Sequence, residues 1–204
     1  MVRPYFIKSE NHPYHVVART SDREFFPLSL DEVWMIFMDE LKRVHVDYQL
    51  CIHAFVLMGN HFHLLCHTPK GNLDQIMHTL MRNTSVRIKR RSRSRDPIWD
   101  GRYKWSLIES QTHYYQVYRY IFQNPLRVKI VSKVQDYPFS SLHPVSFPLH
   151  SFIPLLFGGH EGEYIWLNET LDREAEALIK LGLKKQYFSI NKRKQKIFNK
   201  LLLE

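Results

Sequence analysis

Apolar residues recur along this chain with two periods, and the switches between them mark out its elements. Tyr14 to Ala18 is apolar and β-branched around His15 and predicts a first strand. Ser29-Leu-Asp-Glu32 has the form of a capping box, with Ser29 as cap and Glu32 three residues on. Behind it Val33, Ile36, Phe37, Leu41 and Val44 recur at helical spacing, which predicts an amphipathic helix from Leu30 to about Val46. Tyr48 to Met58 and His61 to His67 are rich in Ile, Val, Phe and Leu and flank Gly59-Asn60, the pattern of a hairpin.

Gly71-Asn72-Leu73-Asp74 opens a second helix, whose apolar positions Leu73, Ile76, Met77 and Leu80 run into a basic stretch. Trp99 to Ile108 predicts a further strand after the Asp96-Pro97 break. Thr112 is the expected cap of a third helix, which must end near Asn124 because Pro125 disfavours helical geometry in the residue before it. Strand, helix, strand, strand, helix, strand is the split β-α-β order. It predicts an α+β fold, a ferredoxin-like antiparallel sheet with helices on one face. After Ser140-Ser141 the period is lost among Pro144, Pro148 and Pro154, and a helix is predicted from Asn168 towards Leu183. The expected organisation is a domain over 1–150 and a helical, basic C-terminal extension over 151–204.

Charge changes the picture from fold to function. The chain of 204 residues has 29 Lys and Arg against 20 Asp and Glu, a net charge of +9. Seven of the basic residues are Arg82, Arg87, Lys89, Arg90, Arg91, Arg93 and Arg95, a stretch with no acid. Seven more lie between Lys184 and Lys200, again with no acid. The remaining 15 basic residues face 20 acidic ones, so a mildly acidic body carries two basic patches. That distribution suits a polyanion binder, and a run of charge also suits a solvated face. The longest apolar run, Phe152 to Phe157, is far short of the roughly 20 residues of a membrane span. The start of the chain lacks the apolar core of a secretory signal, and Cys51 and Cys66 cannot by themselves make a disulfide scaffold or a zinc cage. A soluble, cytoplasmic, reduced protein with no membrane contact is expected.

Two local patterns carry candidate chemistry. In His61-Phe62-His63 the imidazoles stand two apart on a strand and share one face. His67 lies on that face four residues on, and His53 lies in the partner strand. Two neutral imidazoles at this spacing suit a divalent metal, and they equally suit hydrogen-bonded places in a hairpin. On the third helix Tyr120 and Asn124 are i and i+4, so a phenol and an amide share a face. That helix also holds Tyr114, Tyr115 and Tyr118, and a Tyr-rich helix is commonly a packing surface.

Taken together, the motifs resemble a family. Ala54-Phe-Val-Leu-Met-Gly-Asn-His61-Phe-His63-Leu-Leu is similar to the His-hydrophobic-His (HUH) strand of the single-tyrosine transposases. Trp99-Asp-Gly-Arg102-Tyr103 resembles the next sheet strand of that family. Tyr120-Ile-Phe-Gln-Asn124-Pro125-Leu-Arg127 and Asp136-Tyr-Pro-Phe-Ser-Ser141 resemble its tyrosine helix and exit. Asn-Pro-x-Arg and Tyr-Pro-x-Ser-Ser are the elements of the branch associated with repetitive extragenic palindromes (REP), relatives of the insertion-sequence transposases. The likeness spans roughly residues 10 to 145. Gly59 departs from the proline usual before Asn-His, and the Arg82 to Arg95 stretch is more basic than in many relatives.

The resemblance implies a metal-dependent endonuclease and strand transferase acting on single-stranded DNA at hairpins, in the bacterial cytoplasm and associated with the nucleoid, as monomer or homodimer. By its terms His61, His63 and Asn124 hold Mg²⁺ or Mn²⁺, and Tyr120 is the nucleophile that forms a 5′-phosphotyrosine. Single strands are gripped by basic grooves with aromatic stacking platforms. Arg82 to Arg95 with Arg102, Trp99, Tyr103 and Trp105 supply both. Two other readings stay open. One is a replication initiator or relaxase-like nickase. The other is a domesticated, non-catalytic DNA- or RNA-binding protein on the same sheet.

Overall fold

Side-chain alternation along the strands decides how the sheet is buried. Strands β1 (Tyr14–Arg19), β2 (Cys51–Met58), β3 (His61–His67) and β4 (Lys104–Leu107) form one antiparallel sheet in the order β2-β3-β1-β4. The computed structural model describes residues 7–142 and 160–190. Tyr14, Val16 and Ala18 of β1 and Phe62, Leu64 and Cys66 of β3 point to the same side. There they meet Phe55 and Leu57 of β2 and the apolar stripes of α1 (Leu30–Tyr48) and α2 (Leu73–Ser92). Phe37 of α1 lies edge-on to Phe62 at 5.2 Å. The Ser29–Glu32 capping box forms as the sequence predicts, and α1 ends at Gln49 in the left-handed conformation.

The helices are not confined to one face. Alternation leaves Ala54, Val56, Met58 and Leu65 apolar on the second face, and an apolar face exposed to water is costly. Helix α3 (Gln111–Phe122) covers it with Val117, Tyr118, Tyr120 and Ile121. Two helices after the Ser140-Ser141 turn, α5 (His160–Asn168) and α6 (Arg173–Gly182), complete this second core with Leu167, Leu178 and Ile179.

Other boundaries shift for local reasons. The strand expected over Trp99 to Ile108 is ordered as β4 only from Lys104 to Leu107. Gly101 takes φ +73°, which interrupts pairing, and Trp99 makes a lone bridge to Thr20. Helix α3 starts at Gln111 after Ser110, so Thr112 lies in its first turn and is not the cap. It stops at Phe122, and the chain makes one more turn as α4 (Asn124–Arg127), with Pro125 in the first turn where its missing N–H costs nothing. The helix expected from Asn168 to Leu183 starts later, as α6 at Arg173 with the Asp172 carboxylate capping Glu174 N–H, because Asn168 instead ends the separate helix α5. Over the departure at Gly59 lies the Phe25 ring: a Cβ built there would come within 2.7 Å of it. The boundary near residue 150, the prolines 144, 148 and 154, the run Phe152 to Phe157 and the basic residues from Lys192 to Lys200 lie outside the described residues.

Candidate active site on the second face of the sheet

Antiparallel pairing aligns β3 beside β1 with Val17 opposite His63, and the second face then carries His61 and His63 together with His15. The His61 and His63 rings stand 5.1 Å apart and nearly perpendicular. Asn60 Nδ2 donates to the Arg23 carbonyl at 2.7 Å, so its Oδ1 accepts from His61 Nδ1 at 2.6 Å. That fixes the His61 tautomer and leaves Nε2 with the lone pair. His63, 4% exposed, stacks on His15 and shares a 2.9 Å hydrogen bond between its Nδ1 and His15 Nε2. When His63 donates in this bond, its Nε2 too is a lone-pair donor.

Burial keeps all three imidazoles neutral. It lowers His15 to about 3, and it lowers His61 to about 4 with a lesser contribution from Arg19. His63 is held well below the ordinary value, chiefly by burial and then by His15, His61, Arg127 and Arg19.

Tyr120 reaches the same place from α3. Its ring meets His63 edge-on at 5.9 Å and is 6% exposed. Burial raises its hydroxyl above the ordinary tyrosine value, and Arg127 opposes that rise. The Arg127 guanidinium lies over the Tyr120 ring, 4.1 Å from its centroid, and its Nη2 donates to the Tyr120 carbonyl at 2.6 Å. Asn124 Nδ2 donates to the carbonyls of Tyr120 (3.0 Å) and Ile121 (3.1 Å), so Oδ1 is the atom left for other contacts.

The fold thus brings His61, His63 and Tyr120 together, and Asn124 lies one turn beyond Tyr120, tied to its carbonyl. It places His53 and His67 elsewhere: His53 Nδ1 pairs with Tyr114 Oη at 3.0 Å, and His67 Nε2 with the Glu10 carbonyl at 2.6 Å. Two neutral imidazoles suit a borderline divalent ion, and an amide oxygen added to them would suit Mn²⁺ with open positions. Among the described residues no three His, Cys, Asp or Glu side chains converge on a metal-sized site.

The expected DNA-contacting residues divide into three groups. Arg82, Trp99, Arg102 and Tyr103 line one cavity of about 530 Å³ between α2 and the 99–103 loop. Arg102 sits over the Tyr103 ring, and Trp99 Nε1 donates to the Met81 carbonyl. Arg90, Arg91, Arg93 and Arg95 are exposed at the end of α2 and beyond it, and Lys89 Nζ donates to the Arg95 carbonyl. Arg87 stands apart. It binds Asp39 at 2.7 Å and the fully buried Glu40 at 2.9 Å, which ties α2 to α1.

Three residues at the site went unread in the sequence as parts of it: His15, Arg127 and Glu176. His15 carried a signal, an imidazole in the middle of an apolar strand. Arg127 figured only as the last letter of a motif. Glu176, on α6, binds Arg127 Nε at 3.3 Å across a large sequence separation, and nothing local marks it.

The chain matches, over residues 8–124, the family model described as "Transposase IS200 like". No curated protein matches it. Among solved structures it is similar to a REP-associated tyrosine transposase bound to a REP hairpin. The identity is 23%, the TM-score 0.56, and the match covers 69% of this chain and 81% of that one. It is also similar to a candidate transposase of Deinococcus radiodurans R1, at 21% identity and TM-score 0.40, over 59% of this chain and 94% of that one. The first likeness supports the four-stranded α+β fold.

Proposed function

Because the chain belongs to the IS200-like transposase family, we propose that it cleaves and rejoins single-stranded DNA beside hairpins through a 5′-phosphotyrosine on Tyr120. The observation that carries this reading is the meeting of the Tyr120 ring with His63, at 5.9 Å, beside the neutral His61. In the step itself the Tyr120 phenol oxygen bonds to phosphorus and the bond from phosphorus to the 3′ oxygen breaks. The phenol proton leaves to solvent and the 3′ oxygen takes one up, giving a free 3′-OH. Because the phosphodiester is exchanged and not hydrolysed, the reverse attack by a 3′-OH rejoins strands without ATP.

A buried phenol above its ordinary pKa is a weak nucleophile, so the site must supply positive charge. Arg127 brings one fixed charge against the ring. A divalent ion, Mg²⁺ or Mn²⁺, held by His61 Nε2, His63 Nε2 and Asn124 Oδ1 would polarise the phosphate and stabilise the departing oxygen. The chain's own part is to present those lone pairs: Asn60 orients His61, His15 orients His63, and the α3 carbonyls orient Asn124.

Hairpin DNA as the partner is carried over from the relative bound to a REP hairpin. The exposed Arg82, Arg90, Arg91, Arg93, Arg95 and Arg102 are read as phosphate contacts, with Trp99 as a stacking surface and Tyr103 buttressing Arg102. Residues 1–150 are read as the nuclease unit, whose second core is completed by α5 and α6 of the helical extension over 151–204.

The test is an incubation of 5′- and 3′-labelled hairpin oligonucleotides with Mn²⁺. A protein-linked 5′ product is expected. His61→Ala and His63→Ala should abolish it while hairpin binding stays nearly intact, since affinity comes from Lys and Arg. Wild-type cleavage rates in either variant, or unchanged rates in EDTA, would defeat the two-histidine site.

A further inference from the structure

The site does not end where the motifs end. Arg127 has three nitrogens, and two are anchored: Nη2 on the Tyr120 carbonyl and Nε on Glu176 of α6. Nη1 is sealed from solvent with no hydrogen-bond partner among the described residues. Glu176 is in turn held by Lys180 one turn later, at 2.5 Å. The same surface of α3 is fastened twice more to the link between α5 and α6. Gln123 Nε2 donates to the Leu167 and Glu169 carbonyls at 2.8 and 2.6 Å, and Arg119 binds the Glu169 carbonyl and carboxylate.

A guanidinium that is nearly buried, ion-paired and left with an unmet donor is an expensive way to fill space. An apolar side chain of similar volume would pack there at lower cost, so packing alone does not account for Arg127. What the arrangement does achieve is geometric. The guanidinium sits over one face of the Tyr120 ring, 4.1 Å from its centroid, while His63 meets the ring edge-on. The phenol therefore has one orientation.

We propose that Arg127, fixed by Glu176, is a positioning residue that holds the Tyr120 ring against His63, so that α6 is a working part of the cleavage site. This rests on the reading of Tyr120 as nucleophile. It makes strand cleavage depend on residues beyond the 8–124 family match.

The experiment measures single-turnover adduct formation on a pool of hairpin oligonucleotides with randomised flanks, in Mn²⁺. Hairpin affinity and melting temperature are measured alongside. Arg127→Met should slow adduct formation by about tenfold or more through loss of alignment. It should leave hairpin affinity within about twofold and lower melting only modestly, because Glu176 loses one partner but is partly exposed and keeps Lys180. Arg127→Lys should regain part of the lost rate. Glu176→Gln, an isosteric change that keeps the fold, should slow the reaction by a smaller factor of about threefold or more. Wild-type rates in Arg127→Met or Glu176→Gln would overturn the proposal. So would rate, affinity and melting falling in parallel, which is the mark of a merely structural pair. Should Arg127→Met fail to fold, Glu176→Gln alone decides. An adduct that survives Tyr120→Phe would instead defeat the nucleophile assignment, and the clamp would lose its purpose with it.

Discussion

Four tyrosines share α3, and packing sorts them. Tyr114 pairs with His53, Tyr115 accepts from Gln111, and Tyr118 donates to Glu163 of α5 at 2.7 Å. Tyr120 alone among these four meets His63. Tyr120→Phe should remove the covalent adduct and strand transfer while hairpin affinity persists, and Tyr115→Phe and Tyr118→Phe should keep the adduct. Mass spectrometry of the trapped nucleotide-peptide identifies the modified residue, and an adduct elsewhere sinks the assignment. The imidazoles predict a second behaviour, of stability against pH. His15, His61 and His63 are lowered by burial, so below the unfolded value near 6.5 the unfolded chain binds protons that the folded chain refuses. Stability is therefore intact above about pH 6.5 and falls as pH drops towards 4, by at most about 1.4 kcal/mol per pH unit for each histidine. Denaturant titrations of the metal-free protein at pH 7, 6 and 5 check this, and a flat profile would contradict it. Strand and helix periods made His61–His63 and Tyr120–Asn124 legible as same-face pairs, and the resemblance to the single-tyrosine transposases singled them out as a candidate site. His15 and Glu176 were not legible, since their partners arrive through strand pairing and a distant helix.

Helix α2 carries two kinds of arginine that look alike in the sequence. Arg87 answers Glu40, which is fully buried and also accepts from Asn83 at 2.9 Å. Arg87→Ala leaves that carboxylate short of its main cation and should cost about 2–4 kcal/mol of stability, somewhat less than a wholly orphaned buried charge. Arg90, Arg91 and Arg93 are exposed, and neutralising all three should move stability little. On the proposed reading their neutralisation should weaken affinity for every single strand and make the salt slope shallower by roughly 0.7 per lost phosphate contact. Chemical denaturation and binding at several salt concentrations separate the two classes. Altered sequence preference at an unchanged slope would make the stretch a base-reading element. The helix limits of α1 were readable because Ser29 and Glu32 announce them. The early break in the last strand was not, because Gly101 marks a positive φ only once its neighbours' pairing is known.

At the scale of the molecule, the reading from sequence found the sheet and one of its two cores. The second core was hidden because its parts are far apart in the chain: Ala54 and Val56 of β2, Ile121 of α3, Ile179 of α6 and Phe188. The same distant segments close the sheet at its sides. Along β2, the Phe139 carbonyl accepts from Leu57 N–H and Ser141 N–H donates to the Phe55 carbonyl. Along β4, Leu107 N–H donates to the Gln186 carbonyl and its own carbonyl accepts from Phe188 N–H. A bare strand edge invites an extended peptide or a second copy to add itself as a further strand. Here irregular backbone of the same chain already occupies the outer edge at Phe55 and Leu57 of β2 and at Leu107 of β4. Over those residues no second copy can add itself as a strand, and concentrating the protein should leave the hydrogen-exchange protection of the Leu57 and Leu107 amides unchanged.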